Sequence, residues 1–171
     1  MKKIDTRNLI MVALLSAISF ALFMWEIKIV GPLEFDLSDV VVVMAGFWMG
    51  LIPGILVALI KNILHLLFFI GSGGIGELTN FVYAVLLMAP LALIKPKTWV
   101  KKIGLYILVI VFVTVSINVF NYYIAMPIYG IAQDIRFEMI LLTFVPFNIV
   151  KTGVVILIFN LILPFFDRKF K

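Results

Sequence analysis

The chain has 171 residues, 64% of them hydrophobic and only 13% charged, with a mean hydropathy of +1.22 and a formal net charge of +5. A soluble domain carries roughly a quarter charged residues, so this composition excludes one and makes lipid the solvent. The absence of cysteine removes disulfides, thiolate nucleophiles and thiolate metal sites, and a single histidine cannot form a metal-binding cluster. The basic residues are scattered at helix ends, which reads as membrane topology and not as a nucleic-acid surface.

A spanning helix needs about 20 mostly apolar residues. The first candidate covers 9–25, behind Lys2, Lys3 and Arg7. It resembles a signal peptide, but no small-x-small cleavage site precedes a soluble domain, so a retained helix is expected. A polar loop with Glu26, Lys28, Glu34 and Asp36 follows. The apolar stretch from Val40 to Ile70 is too long for one span. Gly50-Leu-Ile-Pro53-Gly54 divides it, because proline suits a first turn and not a helix interior. The division predicts helices over 38–50 and 53–70, the former capped by Asp36 or Ser38. Gly71 to Gly74 predicts a turn. Further helices are expected over 76–94, 103–126 and 138–166, with irregularities at Pro146 and Pro164.

Six spans with both termini cytoplasmic put ten basic residues inside: Lys2, Lys3, Arg7, Lys95, Lys97, Lys101, Lys102, Arg168, Lys169 and Lys171. Only Lys28 and Arg136 then fall in outer loops, a strong positive-inside bias. The same arrangement sends most acids outward, among them Glu26, Glu34, Asp36, Asp39 and Glu77. The expected fold is an all-α integral membrane protein, one compact domain of six transmembrane helices over residues 1–171.

Several polar residues fall at membrane depth, where they are expensive unless they face protein or a cavity. Asn118 and Asn121 share one helix face, as do Asn148 and Lys151. No acid on the last two helices stands obviously level with Lys151, which favours a ligand carbonyl or anionic ring nitrogen as its partner. An asparagine side chain carries a donor and an acceptor on one plane, matching the edge of a heteroaromatic ring. Sixteen Phe, five Tyr and three Trp supply stacking surface. Lys61, Asn62 and His65 share a face of the third helix. His65 reads as a hydrogen-bonded structural residue, and Lys61 needs an acid or an interface. Glu77 suits a first helical turn, with Thr79 and Asn80 deeper. Ala13, Ala17 and Ala21 form a smooth strip on the first helix, either packed within the chain or docking a separate membrane subunit. Gly46, Gly50 and Gly54 predict close packing of the second and third helices.

Leu33-Glu-Phe-Asp-Leu-Ser-Asp39, Ala58-Leu-Ile-Lys-Asn-Ile-Leu-His65, Gly76-Glu-Leu-Thr-Asn-Phe81, Asn121-Tyr-Tyr, Pro127-Ile-Tyr-Gly130 and Asn148-Ile-Val-Lys151 follow one another in a telling order. In that order and spacing, across nearly the whole chain, the sequence resembles the substrate-binding S component of energy-coupling factor (ECF) vitamin transporters, of the riboflavin type. The resemblance implies a pocket open to the outside beneath the first loop. It implies riboflavin as ligand and leaves flavin mononucleotide open as a second. By position Asn121, Asn148 and Lys151 match the ring-binding polar residues. Glu77, Leu78, Thr79 and Asn80 fall on the fourth-helix wall, and Phe35, Asp36 and Leu37 on the loop. The alanine strip matches the surface that docks on a transmembrane coupling (T) subunit, below which two ATPases supply energy. The location implied is a prokaryotic cytoplasmic membrane.

Other readings are an S component for another vitamin, such as biotin, whose carboxylate would use Lys151, or a stand-alone secondary transporter. Inverted repeats and broken midplane helices, the marks of the latter, are not evident. No nucleophile–base pair or metal set suggests an enzyme, and no cofactor of its own is expected.

Overall fold

The computed structural model describes residues 6–31, 33–69, 73–96 and 98–167. Six of the ten predicted cytoplasmic cations (Lys2, Lys3, Lys97, Arg168, Lys169 and Lys171) lie outside these residues, as do Gly71 and Ser72 of the predicted turn. Six helices form the body. They are α1 (Thr6–Phe23), α2 (Ser38–Met49), α3 (Leu51–Phe68), α4 (Ile75–Leu93), α5 (Trp99–Ile128) and α6 (133–167). Five are long and apolar enough to cross a membrane. The exception, α2, has 12 residues. At 1.5 Å per residue it is about 18 Å long, well short of a hydrocarbon core of about 30 Å.

The first loop differs from the irregular segment the sequence suggests. It is a two-stranded antiparallel hairpin, β1 (Ile27–Val30) against β2 (Leu33–Phe35), with Lys28 opposite Glu34 and a register shift before Val30. Gly31, in the left-handed region at φ 55°, sits in its turn.

α3 packs between α1, α2 and α4, and α5 packs against α4 and α6. The core is formed by fully buried Val42, Ala45, Val57, Ala58, Ala84, Leu87, Met88, Val109, Val113 and Val155. Gly50, at φ 101°, makes the sharp reversal between α2 and α3. The two helices then approach so closely that a Cβ on Gly54 would lie 2.8 Å from Gly46 Cα and 2.9 Å from the Met88 side chain. Backbone cannot yield there as a side-chain tip can. Gly54→Ala is therefore expected to cost about 1–3 kcal/mol through overpacking, read as a lower thermal midpoint in detergent. An unchanged midpoint would contradict this contact.

α1 docks through Val12, Ser16, Ser19 and Phe23, all buried. Ala13, Ala17 and Ala21 lie on its exposed face, so the strip does not pack within the chain.

α5 and α6 are not uniform. α5 passes through a π-helical turn at Asn121–Ala125, and α6 through another at Ile140–Phe144. Each lies two residues before a proline, Pro127 and Pro146. A proline lacks the N–H that would close the preceding turn, and the widened turn accommodates the mismatch. Pro90 and Pro164 are carried inside α4 and α6.

Candidate functional site

The main cleft lies at the end of the bundle away from the α4–α5 connection. It is about 650 Å³ with its open mouth included. Its walls come from the end of α1 (Phe23), the hairpin (Leu33, Glu34), α4 (Gly76, Thr79, Asn80, Tyr83), α5 (Ile117, Asn121, Ala125, Met126), Tyr129, and α6 (Phe144, Phe147, Asn148, Lys151). Both π-helical turns contribute, supplying Asn121, Ala125 and Phe144. Such turns recur at functional sites because they turn side chains off the regular helical face.

Of the predicted site residues, the fold brings Asn121, Asn148, Lys151, Thr79 and Asn80 together on this cleft. Four others do not line it. Leu78 and Leu37 are exposed, Phe35 is half-buried on the hairpin, and Glu77 is buried toward His65. Leu78, 45% exposed, lies on the outer face of α4, while Thr79 and Asn80 turn to the cleft. Asp36 does not line the cleft either, but it holds the residue that does.

That residue is Lys151. Its ammonium lies 3.1 Å from Asp36 Oδ2 and 3.5 Å from Asp39 Oδ2, and it donates to the Glu34 carbonyl at 3.4 Å. It also stands 4.8 Å from the centre of the Tyr83 ring. Among the described residues no acid of α5 or α6 meets it, as expected, but its charge is matched within the chain and is not left to a ligand. The acids come from the hairpin exit and from α2, not from α5 or α6. Asp36, just before α2, and Ser38 and Asp39 in its first turn are all buried in the bundle. Lys61, completely buried on α3, completes the group, donating to Asp39 Oδ1 at 2.6 Å and to Ser38 Oγ. Two lysines and two aspartates are thus interleaved in the interior. Asp36 also accepts from the Ser38 amide at 2.9 Å, from the Ser38 hydroxyl, and from Asn80 Nδ2 at 3.3 Å. Burial alone would raise the Asp36 carboxyl. The Lys151 and Lys61 ammoniums and the Ser38 hydrogen bond overcome it and hold the pKa at about 2.

The asparagines divide their work. Asn118 is not on the cleft. It donates to the Thr114 carbonyl at 2.8 Å, and its Oδ1 accepts from Asn148 Nδ2 at 3.3 Å, fixing the Asn148 amide plane. Asn80 Oδ1 is buried with no hydrogen-bond partner among the described residues. An orphaned buried acceptor on a cavity wall suits a ligand that donates. The apolar walls and the few amides together fit a flat, polar-edged molecule.

Beside the cleft, His65 stacks on Phe23 with ring centres 4.0 Å apart. Its Nδ1 is 3.0 Å from Glu77 Oε1, and its Nε2 is 3.7 Å from Glu26 Oε2. This is the structural role the sequence suggested. Glu26, outside the helices, is pushed up to about 7 from 4.5, by burial first and by the Glu34 carboxylate next. Between those values the folded chain keeps a proton that the unfolded chain has released. Stability from this group is full at low pH and falls as pH rises through about 7. Thermal midpoints should therefore decline from pH 5.5 to 8 less steeply in Glu26→Gln than in the parent chain. Parallel declines would refute it.

Sequence reasoning missed Phe23, Leu33, Glu34, Tyr83, Ile117, Met126, Phe144 and Phe147. Phe144, Phe147, Asn148 and Lys151 are spaced as one helical stripe, so extending the Asn148–Lys151 face backward would have found two of them.

The family model for the substrate-specific component of ECF transporters matches residues 7–163. The chain belongs to this family: it is a multi-pass membrane component of a transporter, and not an enzyme. Among individual proteins, it is 36% identical to the riboflavin transporter RibU of Staphylococcus aureus (strain TCH60), over 92% of this chain and 89% of that one. It is 27% identical to the riboflavin transporter FmnP of Bacillus subtilis (strain 168), over 91% and 90% of the two chains. A solved S component of a bacterial ECF transporter superposes with a TM-score of 0.80 at 30% identity, covering 96% of this chain and 98% of that one.

Proposed function

We propose that this chain is the riboflavin-binding subunit of an ECF importer in a prokaryotic cytoplasmic membrane. The observation that carries the reading is the set of Asn80, Asn121, Asn148 and Lys151 converging on one aromatic-walled cleft. Such groups read the polar edge of an isoalloxazine ring, while Phe147, Phe144 and Tyr129 cover its faces. The similarity to RibU and FmnP supports the same ligand. A carboxylated vitamin is less suited, because the Lys151 ammonium already faces two carboxylates.

The six helices act as one domain. Lys95, Lys101 and Lys102 at the α4–α5 junction support cytoplasmic termini and a cleft that opens outward. The hairpin covers the cleft, and Asp36 ties it down. The exposed alanine face of α1 docks a T subunit, through which two ATPases drive delivery. Small residues allow that close approach without polar contacts.

Detergent-purified protein is expected to carry, or to take up, stoichiometric flavin, seen in its visible absorption bands and in quenched riboflavin fluorescence. Colourless protein that leaves added riboflavin unquenched would refute the ligand. Replacing Ala13 and Ala17 by Trp is expected to abolish uptake with the coupling subunits while leaving riboflavin affinity within about twofold. Full transport by that variant would refute the docking face.

A further inference from the structure

We infer that Glu34 sets the charge this site accepts, so that the chain takes neutral riboflavin and disfavours its phosphate monoester. The inference rests on the riboflavin reading above.

Among the described residues lining the cleft, two are ionic, Glu34 and Lys151. Lys151 brings no free positive charge. It is one of four buried ions, Lys61, Lys151, Asp36 and Asp39, whose charges sum to zero. Glu34 is therefore the residual charge on the wall. Its ion-pair partner, Lys28, is on the neighbouring strand at 3.9 Å, at the limit of an ion pair. The Lys28 side chain is 75% exposed and that of Glu34 only 30%, so water screens the cation more than the anion.

The field of Glu34 reaches the cavity. The Tyr129 hydroxyl on the wall is raised by burial, then by the Glu34 and Glu77 carboxylates. A ligand phosphate would bring about −1.5 to −2 charges into this partly desolvated space. Like charges repel there more strongly than in water. Riboflavin, which has no phosphate, does not meet that repulsion. Selectivity then comes from a repulsive element and not from a missing contact.

The test is titration of the purified full-length protein with riboflavin and with riboflavin monophosphate, following flavin fluorescence. The parent chain should prefer riboflavin by about tenfold or more. That preference should shrink severalfold in Glu34→Gln and further in Glu34→Lys, whatever either substitution does to riboflavin affinity itself. Equal affinity for both flavins in the parent chain would overturn the inference. So would an unchanged preference ratio in whichever of the two variants folds. A parent chain that binds neither flavin would instead refute the riboflavin reading.

Discussion

Lys151→Ala is expected to weaken riboflavin binding by about 1–3 kcal/mol, the usual cost of leaving a buried hydrogen-bonding group unpaired. Two effects add. The ligand loses a cationic donor on the cleft wall, and Asp36 and Asp39 lose an ammonium at 3.1 and 3.5 Å. The second effect also loosens the hairpin, since Asp36 follows β2 directly and is otherwise held by Asn80 and Ser38. A double variant separates the effects. Adding Asp36→Asn removes the stranded charge, so the thermal midpoint should recover while the affinity does not. An affinity loss below about threefold in Lys151→Ala would remove this residue from the site. Recovery of both quantities in the double variant would make it a purely structural residue.

Lys61→Met is expected to destabilise the fold by about 3–5 kcal/mol, because it leaves Asp39 charged, fully buried and short of its 2.6 Å partner. The Ser38 hydroxyl loses its donor in the same step, and Ser38 anchors α1 by accepting at its carbonyl from Ser19 Oγ at 2.9 Å. Methionine fills similar volume, so the loss reports on charge and not on a cavity. Lys61→Met with Asp39→Asn should regain much of it, because a neutral amide costs far less to bury than an unpaired carboxylate. Thermal unfolding in detergent reads both. A midpoint for Lys61→Met equal to that of the parent chain would mean that water reaches the network.

The broad architecture was legible because hydrophobic run length is a direct readout of lipid. The separation of α2 from α3 followed from Gly50 and Pro53 together with the placing of the basic 95–102 segment inside. Asn121, Asn148 and Lys151 were legible as candidates because polar side chains inside apolar runs have few reasons to be there. What the sequence hid was depth and pairing. Asp36 and Asp39 look like loop acids, and only the packing of the entry to α2 against α3 and α6 shows them buried against Lys61 and Lys151. The hairpin was hidden as well, since Ile27–Val30 and Leu33–Phe35 are short and flank polar residues. Leu78, matched to the wall by its position in the sequence, is exposed in the fold, while the neighbouring Thr79 and Asn80 line the cleft.

The π-helical turns at Asn121–Ala125 and Ile140–Phe144 each amount to one inserted residue in an otherwise α-helical path. Removing a single residue from either turn would restore regular winding and rotate everything on one side of it by about 100° relative to the other. In α5 that would swing Met126 and Tyr129 away from Ile117 and Asn121, which now share one wall with them. In α6 it would rotate the residues before the turn relative to Phe144, Phe147, Asn148 and Lys151. A one-residue change of length in either helix is therefore expected to reshape the cleft. A one-residue gap placed in either turn, when relatives are aligned, is a statement about the shape of the cleft.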